Sequence, residues 1–548
     1  MFAHRIVVAF AFSIAVAGLT AQTTRQPDGP IAMGTTKGVR HQRLVIQNAM
    51  IISGRGEPDT NRAIPPEGPV DIIIEGDAIA NIVPLDPVNS RNRGARPRAS
   101  GDRVIDATGM YVIPGLVEMH AHLPPKNSEL GPRGLEYAYR LYLGHGITTV
   151  RDAGTGAGLE LMVAQRRASD ANEIVAPRLV LCQRWPLPLG SWDEGNTPEK
   201  ARAMVQRFKD LGADCVKVSK SPGHYPDVLD AIVHSGVTER GAAEAPAGRP
   251  MKVMIDLKVS ETSALVASNL GVQSIEHFYG VPESALEGSQ SLPTDYNYWD
   301  ELDRFRWAGR LWAEADRQHP ERILKLIETF IKNGTNWNPT MAAYEKNRDF
   351  SRAVTSPFFQ TLIPAGVSWS PDASVHGRYH REWKTSDEVA WRQFFAIWMK
   401  YINEFYRRGG LLTAGSDQND IGGIGLIREL ELLQEAGLNP IDIFKVATTN
   451  AARVLSFDRH CGVRVGCVAD LAVVNGNPID NLKVLYGRGY GFYGIVPRDK
   501  QAETGGVTWT IKGGVLFDSQ ALLREVESYV QETKRNPVTS SHSGRYDQ

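Results

Sequence analysis

The stretch from Tyr111 to His122 restricts the fold of this chain more than any other part of the sequence. It is an almost unbroken apolar run that ends in His120-Ala121-His122. A continuous apolar run is typical of a strand buried on both faces, as in a parallel sheet. Because alternate strand residues share a face, His120 and His122 are predicted to present two imidazoles on one side. Imidazole is a preferred ligand of zinc-like cations, so the pair is a candidate metal site, and two ordinary surface histidines are the simpler alternative.

Beyond Pro114, predicted strands alternate with amphipathic helical segments. The predicted strands are 112–122, 147–152, 178–183, 215–219, 252–259, 273–277, 335–341 and 411–417. Eight such units predict an α/β fold in which a parallel sheet closes as a (β/α)8 TIM barrel over residues 114–455. The interval after the sixth strand is too long for two units, which indicates an insertion at about 281–390 on the loop face. A lid or substrate-binding role and a decorative subdomain fit this insertion equally well.

The segments on both sides of the barrel have a different rhythm. Short strands with Gly-Asp turns occupy 43–113, and similar strands return at 456–520. We expect a small β-sandwich built from both chain ends, with the barrel inserted between its halves. Residues 521–548 are predicted to form a C-terminal helix and a disordered tail that starts at about Asn536.

The first 21 residues have the pattern of a secretory signal peptide. His4 and Arg5 precede the apolar run Ile6 to Gly18, and small residues end the segment at Ala21. We therefore expect a bacterial-type exported protein, periplasmic or extracellular, and the alternative is an uncleaved anchor. The run is too short for a comfortable membrane span, and no other stretch reaches that length, so no stable span is expected after cleavage.

Composition narrows the classes of partner. The chain has 548 residues, 42% of them hydrophobic and 22% charged, and a formal net charge of −1. Nothing in this balance attracts nucleic acid, so a small-molecule substrate is the expected partner, and a homo-oligomer is compatible with the sequence.

The four cysteines are Cys182, Cys215, Cys461 and Cys467, and they form no C-x-x-C pair. Buried free thiols are expected, and a disulfide between Cys461 and Cys467 is the alternative.

Polar side chains occur at the ends of four predicted barrel strands. Besides the two histidines of the first strand, the fourth strand carries Lys217, the sixth ends at His277 and the eighth ends at Asp417. Active-site groups of such barrels lie at the carboxyl ends of the strands. Each residue alone is a weak signal, but their joint placement predicts one shared site.

The motifs around these residues resemble those of the amidohydrolase superfamily, in the branch of imidazolonepropionase-like and prolidase-like enzymes. The resemblance covers residues 43–520. The matching segments are 112–122, Gly146 to Asp152, Gly212 to Lys217, Ser274 to His277, Ala414 to Asp417, Ala447 to Ala452 and Ala469 to Leu471.

This resemblance implies a set of metal ligands and a reaction. His120, His122 and Asp417 would hold Zn²⁺ or a similar divalent cation, and Asp417 would also act as general base. Lys217, carboxylated, would bridge to a second cation bound by His277, which gives one or two cations per chain. Carboxylation has a physical motive, because an ammonium group has no lone pair to offer a cation. The implied activity is hydrolysis of a C–N bond in an amide, cyclic amide or dipeptide-like molecule.

One position departs from the family pattern. The histidine expected at the end of the fifth strand falls on Leu257 in this sequence. The neighbouring Asp256 is predicted to face the opposite side unless the strand is bulged. A single-metal hydrolase is therefore one reading, and a catalytically impaired binding protein on the same scaffold is the alternative.

Other residues near the predicted strand ends are weaker candidates. His224, Tyr225 and Tyr279 follow the fourth and sixth strands and are candidate substrate contacts. The glycine-rich segment 154–158 lacks the context of a phosphate-binding loop and is interpreted as a turn. Arg151 and Asp152 are predicted to form a structural ion pair.

Overall fold

The structure is a computed structural model, which describes a defined part of the chain. The described residues are 33–57, 62–85, 98–125, 130, 133–186, 193–235, 251–258, 261–288, 297, 300–349, 358–364, 383–418, 421–489 and 505–535. The predicted signal peptide and the predicted disordered tail lie outside these residues. In the described part, no helix is both long and apolar enough to cross a membrane.

Nine strands form a mixed sheet from both ends of the chain. They are β1 (Val39–Arg40), β2 (Arg43–Ile51), β3 (Glu67–Glu75), β4 (Ala78–Pro84), β5 (Arg103–Asp106), β6 (Met110–Pro114), and, beyond the barrel, β14 (Leu471–Asn475), β15 (Val507–Lys512) and β16 (Val515–Asp518). The strand order is β1-β16-β15-β14-β6-β2-β3-β4, with β5 beside β2. Its aliphatic side chains, such as Ile46, Ile72 and Val473, form a separate hydrophobic core. The predicted assembly from both chain ends is confirmed.

The remaining seven strands form a parallel sheet in sequence order. They are β7 (Leu116–Ala121), β8 (Ile147–Ala153), β9 (Arg178–Trp185), β10 (Cys215–Val218), β11 (Lys252–Asp256), β12 (Ser274–Glu276) and β13 (Asn336–Asn338). The eighth segment, 411–417, lies between the two edges. Thr413 N donates to Trp337 O at 3.2 Å on one side, and Met119 N donates to Ala414 O at 3.1 Å on the other. This segment completes the predicted (β/α)8 barrel.

Helices surround the barrel and fill its insertion. They are α1 (Gly134–Gly144), α2 (Leu159–Asp170), α3 (Pro198–Asp210), α4 (Pro226–His234), α5 (Ala264–Asn269), α6 (Val281–Ala285), α7 (Glu301–Gln318), α8 (Pro320–Asn333), α9 (Met341–Arg348), α10 (Phe358–Thr361), α11 (Thr385–Arg407), α12 (Ile424–Glu435), α13 (Pro440–Lys445), α14 (Ala451–Leu455) and α15 (Ser519–Arg535). In α14, Ala451 and Val454 pack on Val117 and Val180 at the amino ends of their strands. The amino end of the barrel is thereby closed, and its carboxyl end is left for a site.

The first predicted barrel strand is in fact two strands that belong to different sheets. Residues up to Pro114 pair with β14 in the mixed sheet, whereas Leu116 begins the barrel. Gly115 lies at the crossing, where its N–H donates to Asp470 O at 2.7 Å. A Cβ atom at Gly115 would come within 2.2 Å of Thr148 Oγ1, so only glycine fits this close approach. One apolar run therefore connects both cores.

Part of the insertion is an aromatic cluster against the carboxyl end of the barrel. Phe278, which follows β12, lies 4.9 Å from Tyr344 of α9 and 5.6 Å from Trp391 of α11, measured between ring centroids. Phe305 of α7 stacks on Trp391 at 4.4 Å. Offset and edge-to-face contacts of this kind stabilise a core beyond the area that they bury. The described insertion helices are thus fixed beside the residues that follow the sixth and seventh strands.

The prediction of free thiols is wrong, because all four cysteines form disulfides. Cys461 pairs with Cys467, which is the alternative that the sequence left open. Cys182 pairs with Cys215, which is registered directly opposite it on the neighbouring strand. Their Cα atoms are 4.3 Å apart, and this adjacency arises from the register of β9 and β10 rather than from sequence spacing.

Candidate metal centre

Three of the predicted ligands converge at the carboxyl end of the barrel. His122 Nε2 lies 3.1 Å from Asp417 Oδ1, and His120 Nε2 lies 3.5 Å from the same oxygen. One ligand atom from each of the three residues falls within 4.8 Å of the others. The pairing register of β7 with β8 shifts between Glu118 and Ala121, so the strand is irregular where it presents the histidines. Two imidazoles and a carboxylate are a donor set that suits Zn²⁺ and similar cations.

Burial keeps the two imidazoles in the form that binds a metal. Burial, and next the charge of Lys217, lower the pKa of His120 to about 3. The pKa of His122 is also lowered, mainly by burial. Both rings are therefore neutral near pH 7, and a neutral imidazole has the lone pair that coordination requires.

A buried polar network fixes the orientation of the His120 ring. Its Nδ1 lies 2.7 Å from Glu276 Oε2, so that its Nε2 faces the site. Arg151 Nη2 donates to Glu276 Oε1 at 2.9 Å, and Asn338 Nδ2 donates to Oε2 at 2.8 Å. Burial opposes ionisation of Glu276, but Arg151 and His120 hold its pKa below the ordinary value. A carboxylate behind a histidine is the arrangement that orients metal-binding imidazoles in proteins.

Asp417 is held by the backbone of the first barrel strand. Its N–H donates to His120 O at 2.8 Å, and its φ of 51° lies in the left-handed region. Such strained conformations persist where the surrounding structure enforces them, and they cluster at functional sites. Burial opposes ionisation, but the electrostatic interaction with His120 and the hydrogen bond with His122 hold the pKa of Asp417 below its usual range.

Lys217 and His277 lie next to this group. Lys217 Nζ is 3.2 Å from His120 Nε2, and His277 Nε2 is 3.8 Å from Asp417 Oδ2. His277 Nδ1 is fixed by Thr340 Oγ1 at 2.6 Å. Burial lowers the pKa of Lys217, which increases the fraction of neutral amine. All five predicted ligand residues thus meet in one place, although they are spread from position 120 to position 417.

Comparisons with known proteins agree with this architecture. A model of the amidohydrolase family matches residues 402–516. The probable imidazolonepropionase of Danio rerio is 23% identical over a match of 298 residues, with coverages of 44% for this chain and 66% for that protein. A solved Xaa-Pro dipeptidase with methionine bound in its active site matches at a TM-score of 0.55 and 18% identity, covering 87% of this chain and 100% of its own. Bottromycin amidohydrolase matches at a TM-score of 0.58 and 19% identity, and the match covers 90% of this chain and 91% of that structure.

The chain belongs to the amidohydrolase superfamily. This is a family of hydrolases that act on carbon–nitrogen bonds. The chain spans between 15% and 66% of the length of the curated relatives that it matches. The solved structures are similar in fold at low identity, so activity and substrate have to be argued from the residues of this amidohydrolase itself.

The prediction that Leu257 occupies the fifth-strand position of the site is wrong. Leu257 is fully buried in the main hydrophobic core, where it would contact a Cβ at Gly280. The inward position is taken by Asp256, because Met254 is registered opposite the inward-pointing Lys217 and alternation places Asp256 on the same face as Met254. Asp256 Oδ2 lies 3.6 Å from His277 Nε2 and 3.9 Å from Lys217 Nζ. The superfamily histidine is thus replaced by a carboxylate, which can bind a cation, rather than by leucine.

Asp256 also faces a second lysine. Lys258 Nζ lies 3.6 Å from Asp256 Oδ2. Burial opposes ionisation of Asp256, but Lys258, His277 and Lys217 together hold its pKa well below the ordinary value. Asp256 is therefore a carboxylate at neutral pH.

The three candidate substrate contacts have different surroundings. The ring centroid of Tyr279 lies 6.2 Å from that of His277, and the side chain is buried in the main hydrophobic core. His224 and Tyr225 lie at the beginning of α4, where the Thr262 hydroxyl donates to the carbonyl oxygen of His224. For all three residues, a role in substrate binding stays a prediction.

The predicted ion pair between Arg151 and Asp152 does not form, because neighbouring strand residues point to opposite faces. Arg151 points inward and donates to Met119 O at 2.6 Å and to Glu276. Asp152 Oδ1 accepts from Leu123 N at 3.3 Å. Glu276 is the main residue that the sequence reading missed. The signal was its position one residue before His277, on the inward face of the sixth strand.

Proposed function

We propose that this chain is a metal-dependent hydrolase that cleaves a C–N bond in a small amide, cyclic amide or dipeptide-like substrate. One observation carries the proposal, namely the convergence of His120, His122 and Asp417 at the open end of the barrel. The chain supplies two neutral imidazoles, a carboxylate and a carboxylate–histidine pair behind them. Membership of a family of C–N hydrolases agrees with this chemistry.

The donor set fits a divalent cation in one position and offers partners for a second. His120, His122 and Asp417 would hold the first, with Zn²⁺ or a similar ion as the best match to nitrogen and oxygen donors. Lys217, if carboxylated, would join Asp256 and His277 around the second. A bound divalent cation lowers the pKa of water and polarises a carbonyl group, which is the chemistry that amide hydrolysis needs.

The residues of the chain would handle the proton in this reaction. Asp417 is ionised; its Oδ1 is the oxygen near His120 and His122, and its Oδ2 lies 3.8 Å from His277 Nε2. We infer that it takes the proton of the attacking water and passes it to the departing nitrogen. The water oxygen then bonds to the carbonyl carbon while the C–N bond breaks, so that a carboxylic acid and an amine leave. Tyr279 and Tyr344, whose ring centroids lie 6.4 Å apart, would provide an aromatic wall for the substrate.

Export of the chain belongs to the same proposal. Residues 1–21 have the n-region, the apolar run and the small-residue end of a signal peptide. Two disulfides, one of them in the barrel interior, agree with an oxidising compartment, because such bonds are rare in reducing cytosol. Expression with and without the leader, followed by cell fractionation, tests this part. Retention of the full-length protein in the cytoplasm would contradict it.

The test of the catalytic proposal combines metal analysis with a hydrolysis screen. The purified chain would be loaded with Zn²⁺ and assayed against N-acyl amino acids, Xaa-Pro dipeptides and cyclic ureides. We expect hydrolysis by the wild type, and its loss in His120→Ala and Asp417→Asn. His234→Ala serves as the matched control, because this histidine is exposed on α4. Hydrolysis that persists in both site variants would refute the proposal.

The alternative, a catalytically impaired binding protein, is separated by the same experiment. This alternative depends on a leucine at the fifth-strand position, whereas the residue that faces the site is Asp256, which can still bind a cation. Substrate binding without turnover in the zinc-loaded wild type would favour the alternative. Turnover that depends on Asp417 would exclude it.

A further inference from the structure

Arg184 is a charged side chain beside the candidate metal centre, and the proposed reaction assigns it no role. It lies near the end of β9 and is registered opposite Lys217 of β10. Registered residues of neighbouring parallel strands point to the same face, and Lys217 points into the site. Arg184 Nη2 lies 3.5 Å from His122 Nδ1. The guanidinium therefore lies on the His122 side of the group, in the mouth of the barrel.

The glycine-rich turn after β8 makes room for this guanidinium. A Cβ atom at Gly154 would come within 2.8 Å of Arg184 Nε and 2.9 Å of Nη2, and the φ of Gly154 is 147°. Any other residue would displace the arginine or strain the backbone. The glycine that the sequence places in a plain turn thus has a steric role at the site.

The charge of Arg184 lacks a full counter-charge among the described residues. Its Nε is buried without a hydrogen-bond partner in the described part of the chain, and no carboxylate there forms an ion pair with it. The carboxyl group of Asp152 compensates this charge only in part near neutral pH, because burial raises its pKa to about 7 against the opposing effects of the Leu123 amide and of Arg184. An unpaired guanidinium in a partly desolvated site is costly unless a ligand supplies the missing anion.

We propose that Arg184 binds a carboxylate of the substrate, so that the chain acts on N-acyl amino acids or dipeptides in preference to neutral cyclic amides. This inference rests on the proposed function and narrows its substrate class. A guanidinium offers two parallel N–H donors, which match the two oxygens of a carboxylate. Arg184 is thereby a specificity-determining residue beside the cation ligands and is not itself one of them.

The test compares acids with their carboxamides. The probes are a panel of N-benzoyl amino acids and the carboxamide of each member, titrated calorimetrically into wild type, Arg184→Gln and Arg184→Lys, each with and without Zn²⁺. We expect members of the acid panel to bind the wild type about 10- to 100-fold more tightly than their carboxamides, as a charge-assisted bidentate contact provides. Arg184→Gln should abolish this preference. Arg184→Lys should restore only part of it, because an ammonium lacks the fork.

Controls separate this inference from the proposed function. Arg166→Gln, which removes an arginine paired with Asp214 away from the site, should keep the preference for acids. Zinc content and unfolding midpoint should be the same in Arg184→Gln and the wild type. Equal binding of acids and carboxamides by the wild type, or an unchanged preference in Arg184→Gln, would overturn the role of Arg184 even if the chain hydrolyses amides. Acid binding through Arg184 without any hydrolysis would uphold this role and refute the catalytic proposal.

Discussion

The two disulfides differ in the length of chain that they close, which predicts different contributions to stability. Cys182 and Cys215 are separated by 33 positions, whereas Cys461 and Cys467 are separated by 6. A cross-link stabilises the folded state mainly by restricting the unfolded chain, and the restriction grows with the closed loop. In the chain-entropy model, these separations give about 3.7 kcal/mol for the barrel disulfide and about 2.2 kcal/mol for the short one at 25 °C.

The assay isolates each bond without removing its sulfur atoms. In Cys461→Ala/Cys467→Ala only the barrel disulfide remains, and in Cys182→Ala/Cys215→Ala only the short one remains. Urea titration of each double variant, with and without reductant, gives the loss in free energy of unfolding on reduction. We expect the loss to be larger by about 1.5 kcal/mol when the barrel disulfide is the one reduced.

Two results would refute this reasoning. If reduction destabilised the variant with only the barrel disulfide no more than the other, the loop-length argument would fail. If alkylation of the unreduced, unfolded wild type labelled thiols, the disulfides themselves would be wrong. If hydrolysis were retained after reduction, the Cys182–Cys215 disulfide would stabilise β9 and β10 without taking part in the chemistry.

Further predictions concern residues around the centre. Glu276→Gln should weaken zinc affinity about 10- to 100-fold, measured by chelator competition, because the carboxylate that orients His120 is lost; unchanged affinity would contradict the network. Gly415→Ala should destabilise the fold by about 1–3 kcal/mol in urea titration, since its Cβ would lie 2.7 Å from His120 N; a neutral effect would contradict the close packing. Burial raises the pKa of Glu429 to about 8. The folded state then holds an extra proton between about pH 4.5 and 8, so the wild type should lose stability relative to Glu429→Gln as pH rises through that window; a pH-independent difference would contradict the assignment.

The ligand set could be predicted from the sequence because each member ends a strand. The histidines of the first strand, Lys217, His277 and Asp417 stand at the carboxyl ends of strands 1, 4, 6 and 8, and barrel geometry brings such ends together. The alternation of side chains along each strand then predicted, for most of these residues, that they point into the barrel. The assembly of one sheet from both chain ends could be predicted because short strands return in the sequence after the barrel.

Other features depend on register, which a single sequence does not specify. Asp256 was assigned to the wrong face because the inward positions of β11 were placed one residue too far along the chain. Met254 is registered opposite the inward Lys217, and a shift of one residue exchanges the two faces of a strand. The Cys182–Cys215 pairing depends on the alignment of two neighbouring strands. Glu276 looked like part of a motif, and only the three-dimensional contact with His120 Nδ1 reveals its function.

Equilibrium dialysis against Zn²⁺ tests the proposed centre most directly. The wild type and the exposed-histidine control His234→Ala should bind at least one ion per chain, and His120→Ala and Asp417→Asn should lose it while remaining folded. A wild type that binds no zinc, or variants that bind as much as the wild type, would contradict a cation site formed by these side chains.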